Sequence, residues 1–233
     1  MMNRFLNEQS ALQLLLFMLI AFCFSFGIRM IWVVQFGNYD SFQWNGQLMI
    51  NTNDGYYFAS GAQKVLDGMH SFNPRVPDAM QHAVIALAVA LVKLTPFSLE
   101  TITLYLPAVV SSMVVIPIIL IGRLYRNTLL GFFAALIGSI AWSYYNRTMI
   151  GYYDTDMFSA MAPMFILYFL LLTIERGNLE SALLSALTIL AYPFLYDAGL
   201  SLVYAMGILY MLYMIAFHRK ETFTYQSIIM IAR

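Results

Sequence analysis

Residues 81–93 read Gln-His-Ala-Val-Ile-Ala-Leu-Ala-Val-Ala-Leu-Val-Lys, and whether they cross a membrane decides the face on which every later loop falls. The run holds about a dozen apolar positions, whereas a helical span needs roughly 20. It is therefore expected to lie in the interface or to pack on other helices. Around it stand apolar stretches at about 11–34, 99–121, 129–145, 157–174, 181–196 and 198–217, with one more beginning near 224. These runs are continuous rather than alternating, which predicts α-helices and argues against a β-barrel.

Composition agrees. The 233 residues are 61% hydrophobic, 16% aromatic and only 10% charged, a balance far from that of soluble domains. The fold class is an all-α polytopic membrane protein. Twelve basic residues balance twelve acidic ones, so no bulk field draws nucleic acid, and the position of each charge matters more than the total. The one cysteine, Cys23, lies inside the first apolar run and is expected to pack as a small hydrophobe. Ala11 to Ile28 is too long for a signal-peptide core and reads as a retained anchor. No internal repeat, P-loop or GxSxG string is present.

If residues 81–92 do not cross, Arg4, the Arg123 to Arg126 loop, Arg176 and the His218-Arg219-Lys220 cluster all fall on one side. The positive-inside rule makes that side the cytoplasm. The opposite face then receives residues 36–98 as a long first external loop, residues 146–156 as a second, and the 196–198 turn. Asp54, Asp154, Asp156 and Tyr196 converge there. Were residues 81–92 to cross, the two acidic clusters would sit on opposite faces. Within the first loop, Asn53-Asp54-Gly55 reads as a turn, Asn73-Pro74 and Val76-Pro77 break the chain again, and residues 56–69 can form a short amphipathic helix.

Acidic side chains near membrane helix ends are costly unless they pair, bind an ion or serve a wet site. Two carboxylates about 4 Å apart repel by roughly 4 kcal/mol at an effective dielectric near 20, so three together call for protons or a cation. Hard oxygen donors select Mg²⁺ or Mn²⁺, and His70, His82 and His218 stand too far along the chain to suggest a softer site. A plainer reading stays open beside this one. Asp54 would cap a helix, Asp154 and Asp156 would begin the next, and Arg147 would pair with one of them. Tyr196 would be an interfacial tyrosine.

The strings themselves are more specific. Ser143-Tyr144-Tyr145-Asn146-Arg147-Thr148-Met149 and Gly151-Tyr152-Tyr153-Asp154-Thr155-Asp156-Met157 closely resemble the second acidic motif of bacterial oligosaccharyltransferases of the STT3 family. Thr52-Asn53-Asp54-Gly55-Tyr56 resembles the first. Pro117 to Ile121, Gly131 to Ile140 and Phe217-His218-Arg219-Lys220-Glu221 add to the likeness, which is loosest over 60–100 and 175–195.

This resemblance implies a GT-C glycosyltransferase of the bacterial inner membrane, multi-pass, with its active face in the periplasm. It would move an oligosaccharide from an undecaprenyl diphosphate carrier to the Asn of an Asn-x-Ser/Thr acceptor. By position, Asp54 corresponds to a metal ligand that also contacts the acceptor amide. Asp154 and Asp156 correspond to further ligands, Arg147 to an arginine beside them, and Tyr196 to a tyrosine on the lipid-linked sugar. The Asn146-Arg147-Thr148 sequon abuts a helix end and reads as coincidence. Residues 1–233 correspond to the N-terminal part of the transmembrane domain. The resemblance implies further helices and a periplasmic domain, with a Glu-bearing loop and a WWDYG motif, which this sequence lacks. Little activity is expected of the chain alone, the remainder belonging to a longer frame or a separate chain. The alternatives are another GT-C glycosyltransferase or a secondary transporter, and the latter would place polar, broken-helix elements near the membrane midplane.

Overall fold

A computed structural model describes residues 9–44, 46–69, 73–79 and 81–232, so Arg4 and His70 lie outside the described residues. Helix α1 (Ala11–Arg29) begins at a reciprocal cap, Ser10 Oγ accepting from the Gln13 amide at 3.2 Å and Gln13 Oε1 from the Ser10 amide at 2.9 Å. After a break at Met30 it continues as α2 (Ile31–Phe36). A one-turn 3-10 helix (Asp40–Phe42) follows, with a two-stranded hairpin of β1 (Gln43–Trp44) and β2 (Gln47–Leu48) in which Gln43 faces Leu48. The segment expected as the first external loop then forms α3 (Asn53–Leu66) and α4 (Ala83–Leu94). Next come α5 (Leu99–Ser112), α6 (Val115–Leu124), α7 (Thr128–Ser139) and α8 (Trp142–Tyr145). A 3-10 turn (Thr155–Phe158) leads into α9 (Met161–Arg176) and α10 (Leu179–Leu195), and a second (Asp197–Gly199) into α11 (Leu200–His218) and α12 (Thr222–Ile231).

Among the described residues, four helical stretches are long and apolar enough to cross a membrane: Ala11–Phe36, Leu99–Leu124, Thr155–Arg176 and Asp197–His218. The protein is a multi-pass membrane protein. The runs expected at 129–145 and 181–196 come out shorter. Helix α7 stops at Ser139, two residues leave helical hydrogen bonding, and α8 is only four residues long, while α10 has 17. Leu12, Leu15, Leu19, Leu209 and Leu212 stand exposed on α1 and α11, as they do where hydrocarbon is the solvent. Cys23 is exposed among them on α1 rather than packed inside, contrary to the expectation for a small hydrophobe.

The 12-residue α4 lies in the main core. Ala83, Val84, Ile85 and Ala88 are essentially inaccessible, and the helix packs on α3, α5 and α10. It is too short to span by itself, and it packs beneath α3 and the loop that carries Tyr153. Asn53-Asp54-Gly55 is not a turn but the first turn of α3, entered from Thr52 in an extended conformation. An aspartate in that position is favoured by the positive end of the helix dipole. At the helix breaks, side chains from elsewhere in the chain donate to carbonyls of the last turns. The Tyr144 hydroxyl donates to the Ser111 carbonyl at 2.9 Å, and Arg29 Nη2 to the Ser139 carbonyl at 2.7 Å.

Candidate functional site

The segment between α8 and α9 carries the second acidic motif, and three neighbours fix its path. Gly151 sits at φ +86°, a conformation that a side chain would strain. Its amide donates to the Leu104 carbonyl of α5 at 2.8 Å, and its carbonyl accepts from the Asn51 amide at 2.9 Å. The Ile150 amide donates to the Arg29 carbonyl at 3.2 Å. Two residues on, Tyr153 is wholly buried and its hydroxyl donates to the Val84 carbonyl of α4 at 2.8 Å. The chain thus reaches Asp154 already tied to α1, α5, α4 and the entry to α3.

The first acidic motif is packed against this loop. An ideal Cβ built on Gly55 would lie 3.0 Å from the Tyr153 carbonyl oxygen and 2.8 Å from Ile50 Cδ1, so α3 comes as near as it does because residue 55 has no side chain. Asp54 is exposed on the first turn of α3, and its charge is felt at both Asp154 and Asp156. Asp54 does not cap the helix. The N-cap position belongs to Thr52, whose side chain makes no capping bond.

Asp154 and Asp156 are 8% and 6% exposed, which is low enough for their charges to need company. Asp154 Oδ1 accepts from the Thr155 amide and, at 3.1 Å, from the Thr155 hydroxyl, capping the 3-10 turn. Asp156 Oδ1 accepts from the Tyr196 hydroxyl at 3.2 Å. Its Oδ2 lies 2.9 Å from Arg147 Nε, yet the single Nε–H is directed at the Tyr152 hydroxyl at 3.2 Å. Oδ2 therefore receives charge but no directed hydrogen bond, and it is a buried oxygen without a hydrogen-bond partner. Burial first, and the Asp156 charge second, push the Asp154 carboxyl above the ordinary aspartate range. Burial and the same carboxylate also raise the Tyr196 phenol, so it stays a donor at neutral pH. The Tyr152 hydroxyl and Asp156 raise Arg147 further.

The three carboxylates expected around a cation do not form a closed ligand cluster in this structure. Among the described residues, no three His, Cys, Asp or Glu side chains stand together ready to hold a metal ion. Asp54 belongs to another element and remains exposed, and Arg147 already occupies one side of Asp156. The pairing of Arg147 and the capping by Asp154 follow the plainer of the two readings. The donor set nevertheless suits a hard divalent ion: its atoms are carboxylate oxygens, and one of them, Asp156 Oδ2, is buried without a hydrogen bond.

Tyr196 ends α10, where its ring meets Tyr192 edge-on at 6.4 Å. Thr148 of the Asn146-Arg147-Thr148 string is fully buried, its hydroxyl donating to the Tyr144 carbonyl at 2.7 Å and accepting from Arg29 Nε at 3.1 Å. A threonine so engaged cannot present itself as part of an acceptor sequon. A cavity of about 500 Å³ lies between the hairpin, α3 and the start of α5, and its lining includes none of the acidic residues above. Gly151, Tyr152 and Tyr153 entered the sequence reading only as members of the quoted string, with no role assigned, and Arg29 did not enter it. Only Arg29 offered a signal there, as a lone cation inside an apolar run.

Comparison with known proteins bears on this arrangement. Residues 11–232 match the family described as oligosaccharyl transferase STT3, N-terminal. Over 211 residues the chain is 42% identical to an undecaprenyl-diphosphooligosaccharide-protein glycotransferase of Campylobacter jejuni subsp. jejuni serotype O:2, covering 91% of this chain and 29% of that protein. A protein of the same name from a second Campylobacter jejuni strain is 41% identical over 212 residues, covering 91% of this chain and 30% of the relative. A dolichyl-phosphooligosaccharide-protein glycotransferase of Methanococcus voltae is 23% identical over 202 residues, covering 72% of this chain and 22% of its own length. The chain thus spans less than a third of the length of these relatives.

Proposed function

The chain belongs to the STT3 family of oligosaccharyl transferases, and from that premise we propose that it works in protein N-glycosylation, supplying part of the site that moves an oligosaccharide from a lipid diphosphate to an asparagine side chain. The donor is an undecaprenyl diphosphate-linked oligosaccharide, in keeping with the names of the Campylobacter relatives. The acceptor is a polypeptide carrying Asn-x-Ser/Thr. The setting is a bacterial inner membrane with the acidic face toward the periplasm, a reading supported by Arg123, Arg126, Arg176, Arg219 and Lys220, which fall in or beside the turns assigned to the other side.

The observation that carries this reading is Asp156: buried, held through Oδ1 by Tyr196, flanked at Oδ2 by Arg147, and within the field of Asp54. An amide nitrogen is a poor nucleophile because its lone pair is delocalised. Asp54, exposed at the start of α3, can accept hydrogen bonds from the acceptor NH₂ and orient it toward the sugar carbon. Tyr196 offers an aromatic edge and a hydroxyl to the sugar. Arg147, with a half-exposed guanidinium, brings positive charge to the side on which the diphosphate departs. Mg²⁺ or Mn²⁺ would be held by Asp154 and Asp156 with help from Asp54, and when bound it supplies Lewis-acid neutralisation of the leaving diphosphate.

The test uses protein expressed from its whole reading frame and a fluorescent Asn-x-Thr peptide with lipid-linked oligosaccharide. Glycopeptide should form, and a Gln-x-Thr peptide should give none. Turnover of both peptides, or of neither, would overturn the proposal.

A further inference from the structure

Arg29 is fully inaccessible at the end of α1, and every group it touches is electrically neutral. Nη1 donates to Ser25 Oγ at 2.7 Å and to the Ser25 carbonyl at 3.1 Å. Nη2 donates to the Ser139 carbonyl at 2.7 Å, and the guanidinium carbon lies 5.3 Å from the centroid of the Tyr144 ring. A buried cation without a carboxylate is costly. Here the last turns of α1 and α7 both turn their negative ends toward it, which offsets that cost without an acid.

The remaining contacts all lead to the acidic loop. Nε donates to Thr148 Oγ1 at 3.1 Å, and the backbone carbonyl of Arg29 accepts from Ile150 at 3.2 Å. Thr148 Oγ1 passes the tie on to the Tyr144 carbonyl at 2.7 Å. Tyr144 reaches past it to the carbonyls of Ser111 at 2.9 Å and Met157 at 3.3 Å, the latter just beyond Asp156. Arg147, whose Nε stands beside Asp156, is thus held between Thr148 and Tyr144, both in contact with Arg29. We propose that Arg29 is a positioning residue for the Arg147–Asp156 pair, acting through Thr148 and Tyr144 to fix where the Arg147 charge stands. The planar fork makes this a task for arginine. A lysine ammonium is a single centre and cannot serve Ser25, Ser139 and Thr148 together.

The activity part of the test rests on the function proposed above, and the exchange part does not. In protein from the whole reading frame, Arg29→Met should lower kcat for peptide glycosylation by at least about tenfold with KM within about threefold, as expected when a charge is misplaced by about 1 Å. In an Arg147→Ala background the same substitution should cost less than about twofold, because the residue it positions is gone. Thr148→Val should reproduce the loss and Thr148→Ser should recover most of it. Hydrogen-deuterium exchange at residues 146–152 should accelerate at least about tenfold in Thr148→Val, with 161–176 unchanged. If Arg29→Met costs as much with Arg147 absent as with it present, the proposal fails even where activity is lost. If glycosylation is absent from the wild type, the functional reading fails, and unchanged exchange in Thr148→Val then refutes the positioning role independently.

Discussion

Arg147 Nε stands 2.9 Å from Asp156 Oδ2 while its N–H is turned to the Tyr152 hydroxyl, so the two residues are paired by charge without being joined by a hydrogen bond. The arginine side chain is 57% exposed and the aspartate 9%, so the contact joins a cation on the solvent side to an anion inside.

That relationship predicts different outcomes for the two ends. Asp156→Asn keeps the size of the side chain but removes the charge facing Arg147 and any cation. Glycopeptide formation should fall by a factor on the order of 10² or more, the range seen when a preorganised electrostatic group is removed. Thermal stability should change little or rise, since a buried charge has been removed. Parallel kinetics and melting curves check both halves.

Asp154 sets the pH response. Its carboxyl is raised on folding, so its contribution to stability is greatest below the ordinary aspartate value of about 4 and is lost as pH rises through the higher folded value. Without divalent ions, the wild type should lose more melting temperature as pH rises from about 4 to neutrality than Asp154→Asn does. Adding Mn²⁺ should return that loss near neutral pH and have little effect below about pH 4, where the carboxyl is protonated. Identical profiles for the two proteins would contradict the assignment.

Gly55 governs how near α3 comes to the acidic loop. Gly55→Ala would press a methyl toward the Tyr153 carbonyl and Ile50, and small-to-large changes in packed sites typically cost about 1–3 kcal/mol. Because the strain falls between Asp54 and Asp154, activity should fall by more than the population of folded protein explains. Comparing specific activity with folded fraction separates the two.

Tyr153→Phe tests the anchor on α4. The Val84 carbonyl would lose its 2.8 Å side-chain donor while keeping its place in the α4 ladder, at an expected cost of about 0.5–1.5 kcal/mol. The melting temperature should drop, and residual transfer per folded molecule should stay within a few fold.

Much of this was legible along the chain. Continuous apolar runs announce membrane helices whatever their packing, and a dozen apolar residues closed by Lys93 announce a helix too short to cross alone. The helix breaks were not legible. Met30, Met113 and Ile140-Ala141 sit inside apolar stretches of uniform composition, and beside each break a group from far along the sequence takes up a carbonyl: the Ile150 amide that of Arg29, Tyr144 that of Ser111 and Arg29 that of Ser139. Asn53-Asp54-Gly55 has the composition of a turn, yet it forms a helix start. Its glycine answers a steric demand from Tyr153, a hundred residues away in round terms, that local propensity cannot reveal. The acidic residues could be named from spacing and resemblance, but the engagement of Asp156 by Tyr196 and Arg147 depends on side-chain directions that only the fold fixes.

The central claim is that Asp54 and the Asp154–Asp156 loop serve one site, and Mn²⁺ binding followed by electron paramagnetic resonance tests it most directly. In protein from the whole reading frame, one Mn²⁺ should bind per chain, and Asp54→Asn and Asp154→Asn should each weaken it at least about tenfold, the loss of one anionic ligand being worth about 1.4 kcal/mol or more. Equal affinity in the wild type and both variants would contradict the account.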